Sequence, residues 1–201
     1  MGDRISLNLP AFTFVYGPEN GPTLLLKVYY LGKFRPSVGK DKKPIADREE
    51  HTLRIESLKY RKEPDAIQYF LSKLDPILPH GNPITIVPSA DPDNRSSGLT
   101  DLVGELAKND RIDATSCLVR HKKIPPSALA GNYKERTNEA RHYDSIRVEH
   151  EDVIKGKAVL LIDDITTTGT TLKACRKLLL NSGASEVVCI VLGRTERKPD
   201  H

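Results

Sequence analysis

The sequence predicts an α/β fold, a central parallel sheet flanked by helices with an N-terminal β-hairpin extension, and three observations carry that prediction. Short, almost wholly apolar runs stand at 84–87 (ITIV), 159–162 (VLLI) and 186–192 (EVVCIVL), as expected of strands buried on both faces. Between the last two lies an amphipathic helix with Leu172, Cys175, Leu178 and Leu179 on one face and Gly183 suited to its C′ position, which makes a β-loop-α-β unit of parallel type. Near the N-terminus, β-rich stretches at 11–16 and 23–30 flank GPENGP, a run of turn residues.

With 201 residues the chain has room for one domain with an extension, and we divide it into a hairpin and basic loop at 1–48, expected to act as hood or lid, and an α/β core at 49–201. A composition of 38% hydrophobic and 29% charged residues is that of an ordinary soluble globular protein. No apolar run is long enough to cross a membrane and the first residues have no signal-peptide core, so a cytoplasmic protein without membrane contact is expected. Cys117, Cys175 and Cys189 are isolated in apolar stretches and read as reduced core residues. The net charge of +4 is too weak to demand nucleic acid and suits phosphorylated substrates equally well.

In chain order, 32–44 (GKFRPSVGKDKKP) reads as a solvated basic loop. The stretch 49–60 fits neither period cleanly but leans towards helix. Residues 65–74 predict a helix with Ala66, Ile67, Phe70, Leu71 and Leu74 inward and Pro64 near its start. ITIV at 84–87 is then the first parallel strand, 99–108 a helix, and 115–119 the next strand. The long polar stretch 120–147, broken by Pro125, Pro126 and Gly131, reads as a functional loop. Its histidines and the others, including His51, His121 and His142, read as surface residues.

The chemistry concentrates in 159–171, VLLIDDITTTGTT. A buried strand ends in Asp163 and Asp164, and a small, hydroxyl-rich stretch, Thr166, Thr167, Thr168, Gly169, Thr170 and Thr171, leads into a helix. A strand, a tight loop and a helix N-terminus aim backbone N–H groups and hydroxyls at one point, which suits a phosphate monoester, while two adjacent acids suit a polyol or a metal ion. The GxxxxGK[ST] loop of nucleotide-binding proteins is absent.

Four hydrophobic residues, two acids and a Thr/Gly-rich loop resemble the phosphoribosyl pyrophosphate (PRPP) motif of type I phosphoribosyltransferases. Leu58-Lys59-Tyr60, the ITIVP strand and Arg136 with Asn138 ahead of SIRV are similar to segments of the ComF branch. The chain departs from that branch in having no Cys-rich zinc segment and in carrying Ser97-Gly98-Leu99-Thr100-Asp101 where those proteins have RGFNQ.

The resemblance implies a type I phosphoribosyltransferase fold and Mg²⁺-dependent phosphoribosyl transfer from PRPP with release of pyrophosphate. Its alternative is a PRPP-sensing regulator, or a ComF-like competence or nucleic-acid accessory protein, without turnover. It implies that Asp163 and Asp164 hold the ribose hydroxyls and approach Mg²⁺ through water, and that residues 166–171 bind the 5′-phosphate. Ser89, Ala90 and Asp91 then fall at the pyrophosphate loop, and Lys122, Lys123 and Arg136 on the flexible loop that closes over the substrate. The ligand is PRPP or a ribose 5-phosphate and the acceptor is not identified. Thr167 stands where purine-salvage relatives carry an aspartate base, so a non-purine acceptor is expected. Contact with nucleic acid is expected to be weak or absent, and pairing into a homodimer is left open.

Overall fold

The structure is a computed structural model that describes residues 5–16, 24–36, 49–61, 63–93, 98–124 and 138–195. Its elements are β1 (Ala11–Tyr16), β2 (Leu24–Phe34), α1 (Glu50–Glu56) running into a π-helical turn (Ser57–Arg61), α2 (Pro64–Leu74), β3 (Pro83–Ile86), α3 (Gly98–Lys108) and β4 (Ile112–Asp113). Then follow β5 (Leu118–Arg120), α4 (Glu139–Tyr143), β6 (Ile146–Val148), α5 (Glu151–Ile154), β7 (Ala158–Thr166), α6 (Thr170–Asn181) and β8 (Glu186–Thr195).

Six strands form one sheet in the order β1-β2-β8-β7-β3-β4, parallel throughout except for the antiparallel pair β1 and β2. Apolar runs without polar alternation form its centre because each strand faces helices on both sides. Leu160 and Ile162 of β7, with Val188, Ile190 and Leu192 of β8, face α1–α3 and pack with Ile55, Phe70 and Leu102. Val159 and Leu161, with Val187, Cys189 and Val191, face Leu172, Cys175 and Leu179 of α6. Truncating one of these side chains, as in Leu160→Ala, costs about 2–5 kcal/mol. All three cysteines are buried free thiols. This is the expected α/β architecture, a central, mostly parallel sheet flanked by helices with the N-terminal hairpin present, and it is consistent with the fold the resemblance implies.

Four local expectations are corrected. Residues 32–34 belong to β2, because Gly32, Lys33 and Phe34 pair with Gly193, Arg194 and Thr195, while 37–48 lie outside the described residues. The sheet strand after α3 is the two-residue β4, and Leu118–Arg120 instead pairs antiparallel with Ile146–Val148 in a separate ribbon. The end of the polar stretch 120–147 is therefore structured, with α4 capped by the Asn138 side chain, which accepts from the Arg141 N–H; residues 125–137 lie outside the described residues. The strand does not end at Asp163 and Asp164: β7 runs on to Thr166, alongside β8 to the Thr166–Arg194 pair.

The hairpin continues the sheet, with β2 lying in parallel register against β8. Phe12 and Phe14 meet edge to face at 4.9 Å, and the Arg194 guanidinium stacks 4.1 Å from the Phe12 ring centroid.

Candidate functional site

A cavity of about 860 Å³ opens where the carboxyl ends of β3 and β7 meet the ribbon, and its walls include Lys59, Ser89, Ala90, Asp91, Arg120, His142, Asp163, Asp164 and Thr171. Crevices beyond the carboxyl ends of parallel strands are where open α/β sheets take ligands.

Asp163 and Asp164 cap the backbone locally: an Asp163 Oδ1 accepts from the Asp164 N–H at 2.9 Å, and Asp164 Oδ1 from the Ile165 N–H at 2.6 Å. The Asp163 carboxyl is pushed well above the usual carboxylate range, first by removal from water and then by the Asp164 charge beside it. Lys59 opposes that shift. Its ammonium sits 2.8 Å from Asp164 Oδ2, and although burial works against its charge, the Asp164 and Asp163 carboxylates hold it above the ordinary lysine value.

The π-helical turn places Lys59 there. Leu58 beside it is fully buried, and its carbonyl packs against Gly98 at the start of α3, where a Cβ would lie 2.1 Å from that oxygen. Only glycine admits so close an approach, and one-turn π segments recur at functional sites.

Ser89, Ala90 and Asp91 follow β3, and the segment after β5 is laced to them. Buried Arg120 donates through Nε to the Ser89 carbonyl, through Nη2 to the Pro88 carbonyl at 3.4 Å, and through Nη1 to the Ser145 hydroxyl. The Ile124 N–H donates to the Ala90 carbonyl at 3.1 Å, and Lys123 pairs with Asp91. Among the described residues Arg120 has no carboxylate partner, so a buried cation lines the cavity with neutral acceptors only. Among the described residues every peptide bond is trans.

The loop after β7 is short. Gly169 holds a left-handed backbone (φ 71°) as the N-cap of α6, so Thr170 and Thr171 already lie in its first turn. Thr166 and Thr170 are buried and Thr167 is exposed, its hydroxyl 3.3 Å from that of Thr195. Thr168 and Thr170 hydroxyls are 3.0 Å apart, and the Tyr16 hydroxyl donates to the Thr168 carbonyl at 2.7 Å. A Cβ at Gly169 would stand 2.4 Å from the Phe14 ring and 2.6 Å from the Tyr16 hydroxyl, so β1 is seated directly on this loop.

The structure thus brings Asp163, Asp164, Thr171, Ser89, Ala90 and Asp91 to one cavity and sets Thr166, Thr167, Thr168, Gly169 and Thr170 around the start of α6. Lys123 reaches Asp91, Lys122 is exposed, and Arg136 lies outside the described residues. His121 is exposed as expected, but two histidines are not surface residues. His142 is buried with Nδ1 3.3 Å from the Thr171 hydroxyl, and burial, then Arg120 and Arg141, lower its pKa to about 4. His51 is half-buried, 2.8 Å from the Leu192 carbonyl and 3.2 Å from the Tyr69 hydroxyl. Arg120, at the edge of the long polar stretch, and Lys59, in the ambiguous 49–60 stretch, look solvated in the sequence until their partners are placed.

The phosphoribosyl transferase domain family matches residues 114–201, the part that holds β7, the loop and α6. The chain is also 40% identical over 78 residues to an adenine phosphoribosyltransferase of Treponema denticola, covering 38% of this chain and 39% of that protein. It is 31% identical over 67 residues to an adenine phosphoribosyltransferase of Nitrosomonas europaea, covering 33% and 36% respectively. The chain thus spans less than two-fifths of the length of these curated relatives in the matched region. With the acid pair, the loop and the sheet order already in place, residues 114–201 are similar to the phosphoribosyl transferase domain family.

Proposed function

We propose that the chain binds PRPP in this cavity and transfers its phosphoribosyl group to an acceptor, releasing pyrophosphate. The observation that carries the reading is the placement of two adjacent carboxylates between a helix N-terminal loop and a cavity wall that bears the buried Arg120. Departure of pyrophosphate leaves positive charge on the ribose ring, and carboxylates fixed beside it stabilise that charge more than the ground state. Asp163 and Asp164 accept from the ribose 2′- and 3′-hydroxyls. Backbone N–H groups and hydroxyls of residues 167–171 hold the 5′-phosphate at the N-terminus of α6. Ser89, Ala90 and Asp91, with Arg120 and Lys123 against them, face the pyrophosphate.

Mg²⁺ would enter this site as a cation carried in on the substrate. Among the described residues no cluster of three or more His, Cys, Asp or Glu could hold a metal, and one Asp164 oxygen is already on Lys59. Asp163 and Asp164 would approach it through water. Mg²⁺ on pyrophosphate oxygens supplies neutralisation of the leaving charge.

Thr167 has no useful basicity, so the acceptor we propose is one that arrives already deprotonated. The names of the two relatives favour a second reading, adenine as acceptor with its proton taken by another residue. A binding-only regulator or ComF-like accessory is the outcome if no transfer occurs. Chromatography of the products formed from PRPP and Mg²⁺ with a panel of bases tests all three: nucleotide with stoichiometric pyrophosphate supports transfer, adenosine monophosphate as main product selects the second reading, and PRPP binding with no product selects the regulator.

A further inference from the structure

Resting on the PRPP reading above, we propose that Lys59 is a ligand-contacting residue of this site, its ammonium meeting the pyrophosphate end of the donor. The described part of the loop after β3, 88–93 (PSADPD), contains no Lys or Arg and two Asp residues. Among the described residues, positive charge at this end comes from neighbouring elements. Arg120 supplies one cation from β5, with three of its five N–H groups already on the Ser89 and Pro88 carbonyls and on Ser145. Lys123 is spent on Asp91 at the exposed rim.

Lys59 is differently placed. It lines the same cavity as Ser89, Ala90 and Asp91, its side chain is 37% exposed, and among the described residues Asp164 is its partner. An ammonium has three N–H donors, so this pairing leaves two for a ligand. Its stem is anchored by buried Leu58 and by the close approach of Gly98, which sets the head at the carboxylates and not in bulk water. A cation held between the acids that take the ribose and the loop that faces the pyrophosphate stands beside the bond that breaks.

The test is calorimetric titration of the parent chain, Lys59→Met, Lys59→Gln and Lys59→Arg with PRPP, inorganic pyrophosphate and ribose 5-phosphate at one fixed Mg²⁺ concentration, with thermal unfolding of each variant. A charge-assisted contact predicts about tenfold or greater loss for PRPP and pyrophosphate in the neutral variants, a change of about twofold or less for ribose 5-phosphate, and affinity mostly retained by arginine. Equal loss for all three ligands would mean that Lys59 acts only by holding Asp164, and no loss for any would also overturn the proposal. Parent binding of PRPP with unchanged Lys59 variants sinks this inference alone. A parent that binds none of the three ligands sinks the PRPP reading and this inference with it.

Discussion

Arg120 donates its Nε proton to the carbonyl of Ser89, tying the end of the β5 strand to the loop after β3 across 31 positions of sequence. Burial lowers the guanidinium pKa, yet arginine stays charged at any physiological pH, so a cation is maintained at the cavity wall without a carboxylate to neutralise it. Arg120→Gln is expected to weaken pyrophosphate binding about tenfold or more and to lower stability by about 1–3 kcal/mol through the orphaned carbonyls. Isothermal titration with pyrophosphate and urea unfolding measure the two effects separately. Unaltered pyrophosphate affinity in a folded variant would remove Arg120 from the binding surface.

His142 makes stability pH-dependent. Its folded pKa is lowered to about 4 from 6.5, so the unfolded chain binds the proton first and stability falls as pH drops below 6.5, until the folded state also protonates near 4. The expected slope in that window is up to about 1.4 kcal/mol per pH unit from this one group. His142→Gln should flatten the corresponding part of the curve in thermal unfolding at a series of pH values. The same slope in the variant would assign the acid sensitivity elsewhere.

Gly169→Ala meets two obstacles at once. A left-handed backbone costs a non-glycine residue about 1–2 kcal/mol, and the new methyl would collide with the Phe14 ring. The substitution is expected to destabilise by more than the backbone cost alone, and Phe14→Ala in the same chain should recover the steric part. A double-mutant cycle by urea unfolding reads that coupling; strict additivity of the two substitutions would show that β1 does not press on the loop.

Thr167 bears on the acceptor. Its exposed hydroxyl neighbours Thr195 and offers no base, so hypoxanthine, guanine and adenine are expected to be poor acceptors in a PRPP-dependent assay, with Thr167→Asp run alongside. Robust purine nucleotide formation by the parent chain would show that another side chain takes the proton.

Which features were legible in the sequence follows from how local their causes are. β7, α6 and β8 declare themselves because doubly buried strands need unbroken apolar runs and a helix between them needs one apolar face, and Asp163, Asp164 and the threonines are contiguous with those runs. The helix at Pro64–Leu74 is legible for the same reason, with Ala66, Phe70 and Leu74 buried at helical spacing. The two-residue β4 has no period to detect, and the pairing of Leu118–Arg120 with Ile146–Val148 joins segments separated by a long polar stretch. Lys59 and Arg120 gain their meaning from partners far along the chain on other elements, Asp164 and Ser89 respectively, which no local pattern encodes. His142 is likewise buried by α6, not by its own short helix.

The central claim is that Asp163 and Asp164, with the loop that follows, form a PRPP site. Calorimetric titration of PRPP in the presence of Mg²⁺ into the parent chain and into the chain carrying both Asp163→Asn and Asp164→Asn tests it most directly. Removing two carboxylates that accept from ribose hydroxyls is expected to weaken binding by about tenfold or more, at roughly 1 kcal/mol or more for each hydrogen bond lost, while the folded state persists. Saturable binding by the parent and a collapse in the double variant is the predicted result; equal affinity in the two proteins would contradict the account.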